Sequence, residues 1–92
     1  MIVRILGEGQ LDVAEAHLDE LNTLDADVVD AVTAGDEARF TLELSRLLDK
    51  VRSVGTRLPD EMLSTSDLIL PGPDSSLAEV ASLLGDEGLI PG

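Results

Sequence analysis

The start of the chain combines a short apolar run with a stretch in which polar and apolar residues alternate. Residues 2–6 form an almost continuous apolar run, and after the Gly-Glu-Gly stretch at 7–9 the residues 10–13 alternate polar and apolar. A period of two is typical of β-strands, and glycines on both sides of a glutamate suit a tight turn. The pattern predicts an N-terminal β-hairpin with Leu11 and Val13 on one face of its second strand.

The period then lengthens to that of an amphipathic helix over about residues 14–34, with Asp12 as the expected N-cap. Asn22 and Thr23 leave open a break near Leu24, which would give two shorter helices. The apolar stripe recurs at steps of three and four, at Ala14, Leu18, Leu21, Leu24 or Asp25, Val28 and Val32.

A second helix is predicted from about Glu37 to Val54, because Gly35 suits the end of the first helix and Asp36 the cap of the next. Gly55 ends it. So short a connection between two amphipathic helices requires an antiparallel helical hairpin. The side chains expected in one core are Leu21, Val28, Phe40, Leu44, Leu47 and Val51.

The last third of the chain contains shorter elements. Pro59 followed by two acids suits a short helix, residues 67–70 suit an edge strand before two prolines, and the Ser76–Glu79 capping box begins a helix to about Leu84. The fold class expected for residues 1–92, taken as one domain, is α+β. A small antiparallel sheet, made of the hairpin and the strand near 67–70, packs against the helical hairpin, with a short C-terminal helix.

Composition narrows the function classes. The 92 residues carry 19 acidic and 6 basic side chains, a net charge of −13, and no cysteine. That charge disfavours nucleic acid and anionic lipid surfaces and suits a basic partner surface. The chain lacks disulfides and thiol chemistry, has no apolar run near the length of a transmembrane helix, and does not begin like a signal peptide. We expect a cytoplasmic protein that does not insert into a membrane.

The candidate catalytic and metal-binding residues favour no enzyme. His17 is the only histidine and lies among acids early in a helix, where it is expected to be an ordinary boundary residue. The acidic residues of 25–30 lack the pattern of a calcium loop and are interpreted as a solvated helix face. The stretch 7–9 is too short for a phosphate loop. No catalytic residue, cofactor or metal ligand is therefore predicted.

Basic residues are concentrated on the second helix, where Arg39, Arg46 and Lys50 lie close to one face. In an antiparallel hairpin they would run beside Glu20, Asp25, Asp27 and Asp30 of the first helix. Interhelical ion pairing is the favoured interpretation, and a docking stripe for an acidic helix is the alternative.

Six stretches, in order along the whole chain, resemble one protein family: "MIVRILGEGQ", "LDELNTLD", "AGDEARF", "GTRLPDE", "SDLILP" and "LLGDEGLIPG". The chain resembles the small PspA-associated domain proteins of actinobacteria, the PspAA family. The resemblance implies a cytoplasmic partner of phage-shock-protein A, a membrane-remodelling coiled-coil protein of the ESCRT-III superfamily, in the membrane-stress response. It carries over no catalytic residues.

The leading hypothesis is therefore a non-enzymatic module that binds a PspA-type coiled coil, is recruited through it to the inner face of the membrane, and modulates its assembly. The candidate surfaces are Gly7, Glu8 and Gly9 at the sheet edge, the stripe of Arg39, Arg46 and Lys50, and the tail residues Leu89 and Ile90. Homo-oligomerisation is left open. The alternatives are a purely structural subunit of a cytoplasmic complex and, less favoured, a metal or small-ligand sensor on the acidic face at 25–30.

Overall fold

The computed structural model describes residues 1–59 and 65–83 of the chain. Its elements are β1 (Ile2–Ile5), β2 (Gly9–Asp12), α1 (Leu18–Ala34), α2 (Glu37–Val54), β3 (Thr56–Arg57), β4 (Leu68–Leu70) and α3 (Leu77–Leu83). The two long helices pack against each other as a hairpin, and the strands form one sheet. The α+β prediction is confirmed.

The sheet has the strand order β3-β2-β1-β4. Strands β1 and β2 form the predicted antiparallel hairpin, in which Val3 lies opposite Leu11. Strand β4 is an edge strand, as expected, but it runs parallel to β1, with Val3 opposite Leu68. The sheet is thus mixed rather than wholly antiparallel. The physical reason is that the helical hairpin lies between β1 and β4 in sequence and provides the crossover that parallel strands require.

Strand β3 was not predicted from the sequence. It consists of Thr56 and Arg57 alone, immediately after α2, and pairs antiparallel with β2. Two residues are too few to show a period, so only the position of β2 beside the end of α2 reveals this strand.

Helix α1 begins later than predicted, so the expected N-cap was wrong. Asp12 belongs to β2, and its carboxylate lies 3.6 Å from the N-terminal ammonium group. The N–H of Val13 also donates to the carbonyl of Met1, at 2.8 Å, which extends the strand pairing past Asp12. A 3₁₀ turn at Glu15–His17 then leads into α1. The helix continues without a break through its middle.

The helical hairpin forms as predicted. Gly35 adopts the left-handed conformation, at φ +69°, and ends α1. The carboxylate of Asp36 accepts a hydrogen bond from the N–H of Arg39 at 3.0 Å and caps α2. At α3, Ser76 Oγ accepts from the N–H of Glu79 at 3.1 Å, in agreement with the expected capping box.

One apolar core lies between the sheet and the helices. All six side chains predicted for it are buried, and Phe40, the only aromatic residue of the chain, is 1% exposed. The sheet contributes Val3, Ile5, Leu11, Leu68 and Leu70, and α3 contributes Val80. The predicted short helix after Pro59 and the tail residues Leu89 and Ile90 lie outside the described residues.

Within residues 1–59 and 65–83, every helix is too short or too polar to cross a membrane.

Candidate functional site

The Gly-Glu-Gly turn between β1 and β2 is shaped by its two glycines. Gly7 and Gly9 have φ values of +86° and +109°, which residues with a Cβ atom rarely adopt. The N–H of Glu8 donates to the carbonyl of Ile5 at 2.9 Å and closes the turn. Both glycines have open space where a Cβ would lie, so backbone conformation alone, and no close packing, requires them.

Glu8 is held by two arginines from distant parts of the chain. Arg52, near the end of α2, donates from Nε to Glu8 Oε1 at 2.8 Å and from Nη2 to Oε2, a two-pronged contact. Arg57 of β3 donates to the Glu8 carbonyl at 3.1 Å. Arg52 also contacts Asp49 on its own helix at 2.8 Å. The turn is thereby fastened to the end of the helical hairpin.

These contacts change the acid–base properties of Glu8. The hydrogen bond from Arg52 lowers the pKa of the Glu8 carboxyl group, with smaller contributions from the charges of Arg52 and Arg57, against a partial desolvation that raises it. The same hydrogen bond raises the pKa of the Arg52 guanidinium group. Glu8 is therefore ionised and already committed to an internal ion pair, which limits its use for contacting a partner.

Of the three basic residues in the predicted stripe on α2, one makes the expected interhelical ion pair. Lys50 pairs with Glu20 of α1 at 2.6 Å, as the interhelical interpretation predicted. Arg46 instead contacts Glu43 on its own helix, at 3.2 Å. Arg39 makes no ion pair with any residue in the described part of the chain. The stripe is thus only partly neutralised by α1.

The Lys50–Glu20 pair lines part of a shallow surface groove between α1 and α2. The groove has a volume of about 380 Å³ and is lined mainly by apolar atoms of Glu20, Thr23, Leu24 and Lys50. Lys50 lowers the pKa of the Glu20 carboxyl group, through its hydrogen bond and then its charge. This mainly apolar lining suits an apolar side chain better than a charged one.

Three large apolar side chains are exposed in the described residues. Leu42, on α2, is 51% exposed; Leu6, directly after β1, and Ile69, on β4, are 48% and 56% exposed. Sequence reasoning missed all three as candidate contacts. The exposure of Leu42 could have been predicted from the sequence, because Leu42 lies off the apolar stripe of α2. The exposure of Leu6 and Ile69 could not, because it depends on which face of the sheet the helices cover.

The acidic stretch of α1 is not one solvated face, contrary to the sequence interpretation. Asp25 is 4% exposed and faces the interior, whereas Asp30 is exposed. The reason is the helical period, since Asp25 lies one turn from Leu21 on the stripe that packs inward. In the part of the chain that the structure describes, no three His, Asp or Glu side chains are grouped so as to hold a metal ion.

The structure brings the other candidate residues together only in part. Gly7, Glu8 and Gly9 form the turn beside Arg52, whereas Arg39, Arg46 and Lys50 follow one flank of α2. His17 ends the 3₁₀ turn before α1 and is half-buried. Leu89 and Ile90 fall outside the described ranges. The pairing of Glu8 with Arg52 could not be found from the sequence, because the two residues are 44 positions apart.

Comparison with known proteins gives one match. The model of the PspAA family, described as "PspA-Associated protein", matches residues 1–92, the whole chain. The same comparison with curated proteins and with solved structures finds no match to this chain. The family's description implies association with PspA.

Proposed function

Because this chain belongs to the PspA-associated protein family, we propose that it is a non-enzymatic module that binds a PspA-type coiled-coil protein. The observation that carries the proposal is the family match over all 92 residues. Binding is proposed to modulate the assembly of that protein in the membrane-stress response. In this proposal the chain acts in the cytoplasm and reaches the membrane through its partner.

The described surface supports a role in protein contact. It offers an open groove with a mainly apolar lining and a solvent-facing leucine on α2. Exposed apolar side chains near arginines are typical of protein–protein contact surfaces. The net charge of −13 disfavours direct attachment to phosphate-rich surfaces, so membrane contact is assigned to the partner.

The test is to mix the purified chain with the PspA-type protein encoded in the same genome and to measure complex mass by light scattering after size exclusion. We expect a complex of defined stoichiometry at physiological ionic strength. Repeating the measurement at high salt reports how much of the affinity is electrostatic. Absence of a complex in both buffers would contradict the proposal.

A second measurement separates modulation from passive association. Assemblies of the PspA-type protein are pelleted with and without the chain, and anionic vesicles are added in a parallel series. Modulation predicts a change in the pelleted fraction or in vesicle binding. A stable complex that changes neither quantity would identify a purely structural subunit instead.

A further inference from the structure

The face of α2 that points away from the core combines one exposed leucine with cations. Leu42 is 51% exposed, and Arg39 and Arg46 lie three residues before it and four residues after it. Residues at these spacings are neighbours on a helix surface. Arg39 has no ion-pair partner in residues 1–59 and 65–83, and the side chain of Arg46 is 59% exposed. The leucine is therefore flanked by two arginines, of which Arg46 is exposed and Arg39 is half-buried.

The groove between α1 and α2 continues this face. Lys50, four residues after Arg46, lines the groove together with Leu24, which also packs against the core. The eight residue steps from Leu42 to Lys50 span about 12 Å along the helix axis. An apolar site, a cationic stripe and a second apolar site thus follow one another over the length of about two helical turns.

Charge indicates which kind of ligand fits this face. Three of the six basic residues of the chain lie here, in a protein of net charge −13. Arg46 and Lys50 are paired with Glu43 and Glu20. The Lys50–Glu20 pair is partly exposed, and such a pair contributes only about 0–1 kcal/mol, so an incoming carboxylate can replace it. The buried Glu43 keeps its contact with Arg46 Nη1, and the other N–H groups of the exposed Arg46 guanidinium can donate to an incoming carboxylate. A nucleic acid or an anionic bilayer would extend over the surrounding acidic surface and be repelled. A single helix with one acidic edge avoids that repulsion.

We propose that this hairpin face, defined by Leu24, Arg39, Leu42, Arg46 and Lys50, receives an acidic amphipathic helix of the partner. The inference rests on the proposed function and names the docking surface for it. The apolar stripe of the incoming helix packs on Leu42 and enters the groove over Leu24. Its carboxylates face the two arginines, whose planar groups favour two-pronged contacts. Asp49 and Glu20 lie beside the basic stripe. Their negative charges would repel carboxylates of the incoming helix that lie outside the stripe.

The first test uses two variants of the face and two matched controls elsewhere. Leu42→Ser is compared with Ile69→Ser, because the two side chains are 51% and 56% exposed. Arg39→Glu is compared with Arg4→Glu, since neither arginine has an ion pair among the residues described. Circular dichroism verifies that each variant folds. Affinity for the PspA-type protein is expected to fall at least about tenfold for the two face variants and less than about twofold for the controls.

A second test does not depend on the PspA-type protein. A labelled synthetic helix of about 18 residues, with leucines at steps of three and four and glutamates beside them, is titrated with the chain by fluorescence anisotropy. The control peptide replaces each glutamate with lysine. We expect the glutamate peptide to bind, Leu42→Ser and Arg39→Glu to weaken it, and the lysine peptide to bind much less.

The outcomes are distinguishable. Equal binding of the PspA-type protein to all four variants would overturn the docking face and leave the proposed function standing. Failure of the unmodified chain to bind that protein would overturn the proposed function. The peptide titration would then show whether the docking face binds an acidic helix. No binding of the glutamate peptide, or equal binding of both peptides, would overturn the face in that case.

Discussion

Glu43 is expected to destabilise the fold in which it is buried. It lies on the flank of α2 and is 6% exposed, and its Oε2 atom makes no hydrogen bond with any residue that the structure describes. Its other oxygen accepts one hydrogen bond from Arg46 at 3.2 Å, and the Arg46 side chain is 59% exposed. A carboxylate removed from water in this way recovers little of its lost hydration.

The perturbation is Glu43→Leu, which is close in size to glutamate and has a similar helix propensity, so neither a large cavity nor a backbone effect complicates it. Removing an unsatisfied buried polar atom gains about 1–3 kcal/mol. Losing a pair with an exposed arginine costs about 0–1 kcal/mol. The net expectation is an increase of about 1–2 kcal/mol in the free energy of unfolding, or at least about 4 °C in Tm for a domain of this size.

Urea unfolding followed by circular dichroism measures this difference, with an unchanged m-value as evidence that the same state unfolds. Arg46→Ala provides the contrast. It leaves the carboxylate without its partner and is expected to cost about 1–2 kcal/mol, less than for a fully buried pair because Arg46 is exposed. The double variant should resemble Glu43→Leu alone. If Glu43→Leu instead lowers stability by more than about 1 kcal/mol, the carboxylate stabilises the folded state and the reasoning is wrong.

Three further predictions concern the core, a helix cap and pH. Phe40→Ala should cost about 3–5 kcal/mol in urea unfolding, because Phe40 is 1% exposed; a loss below about 1 kcal/mol would place it outside the core. Asp36→Ala should cost about 1 kcal/mol through loss of the cap on the Arg39 N–H, and Asp36→Asn should restore most of it; equal losses in both variants would exclude a capping role. The Arg52 hydrogen bond lowers the pKa of Glu8 in the folded protein, so its stabilisation is present above the unfolded pKa and lost as pH falls through the folded one. Glu8→Gln should therefore lose less stability than the unmodified chain between about pH 6 and about pH 3, and parallel pH profiles for the two proteins would contradict this.

The positions of most elements could be predicted from the sequence because they depend on local chemistry. The bounds of α2 follow from Asp36 and Gly55, and the hairpin turn follows from glycines that need positive φ values. The start of α1 could not be predicted in this way. Asp12 is a good helix cap by type, but pairing of β2 with β1 and β3 uses it as a strand residue instead.

For the candidate site, the sequence placed Arg39, Arg46 and Lys50 on one flank but did not determine their partners. Lys50 reaches Glu20 across the hairpin, whereas Arg46 is nearer to Glu43 on its own helix. Such a choice depends on distances of a few ångströms between helices, which residue spacing does not fix.

The sequence by itself determined the N-terminal hairpin, the two long helices with their buried stripes, and the absence of thiol chemistry, since periodicity, turn residues and composition can be read from the sequence alone. Only the tertiary structure decided that β4 runs parallel to β1, that Glu8 meets Arg52, and that a groove lined by Leu24 and Lys50 lies between the two long helices. These features join residues far apart in the chain. Their contacts are set by the packing of whole helices and strands on one another, and local sequence patterns do not predict that packing.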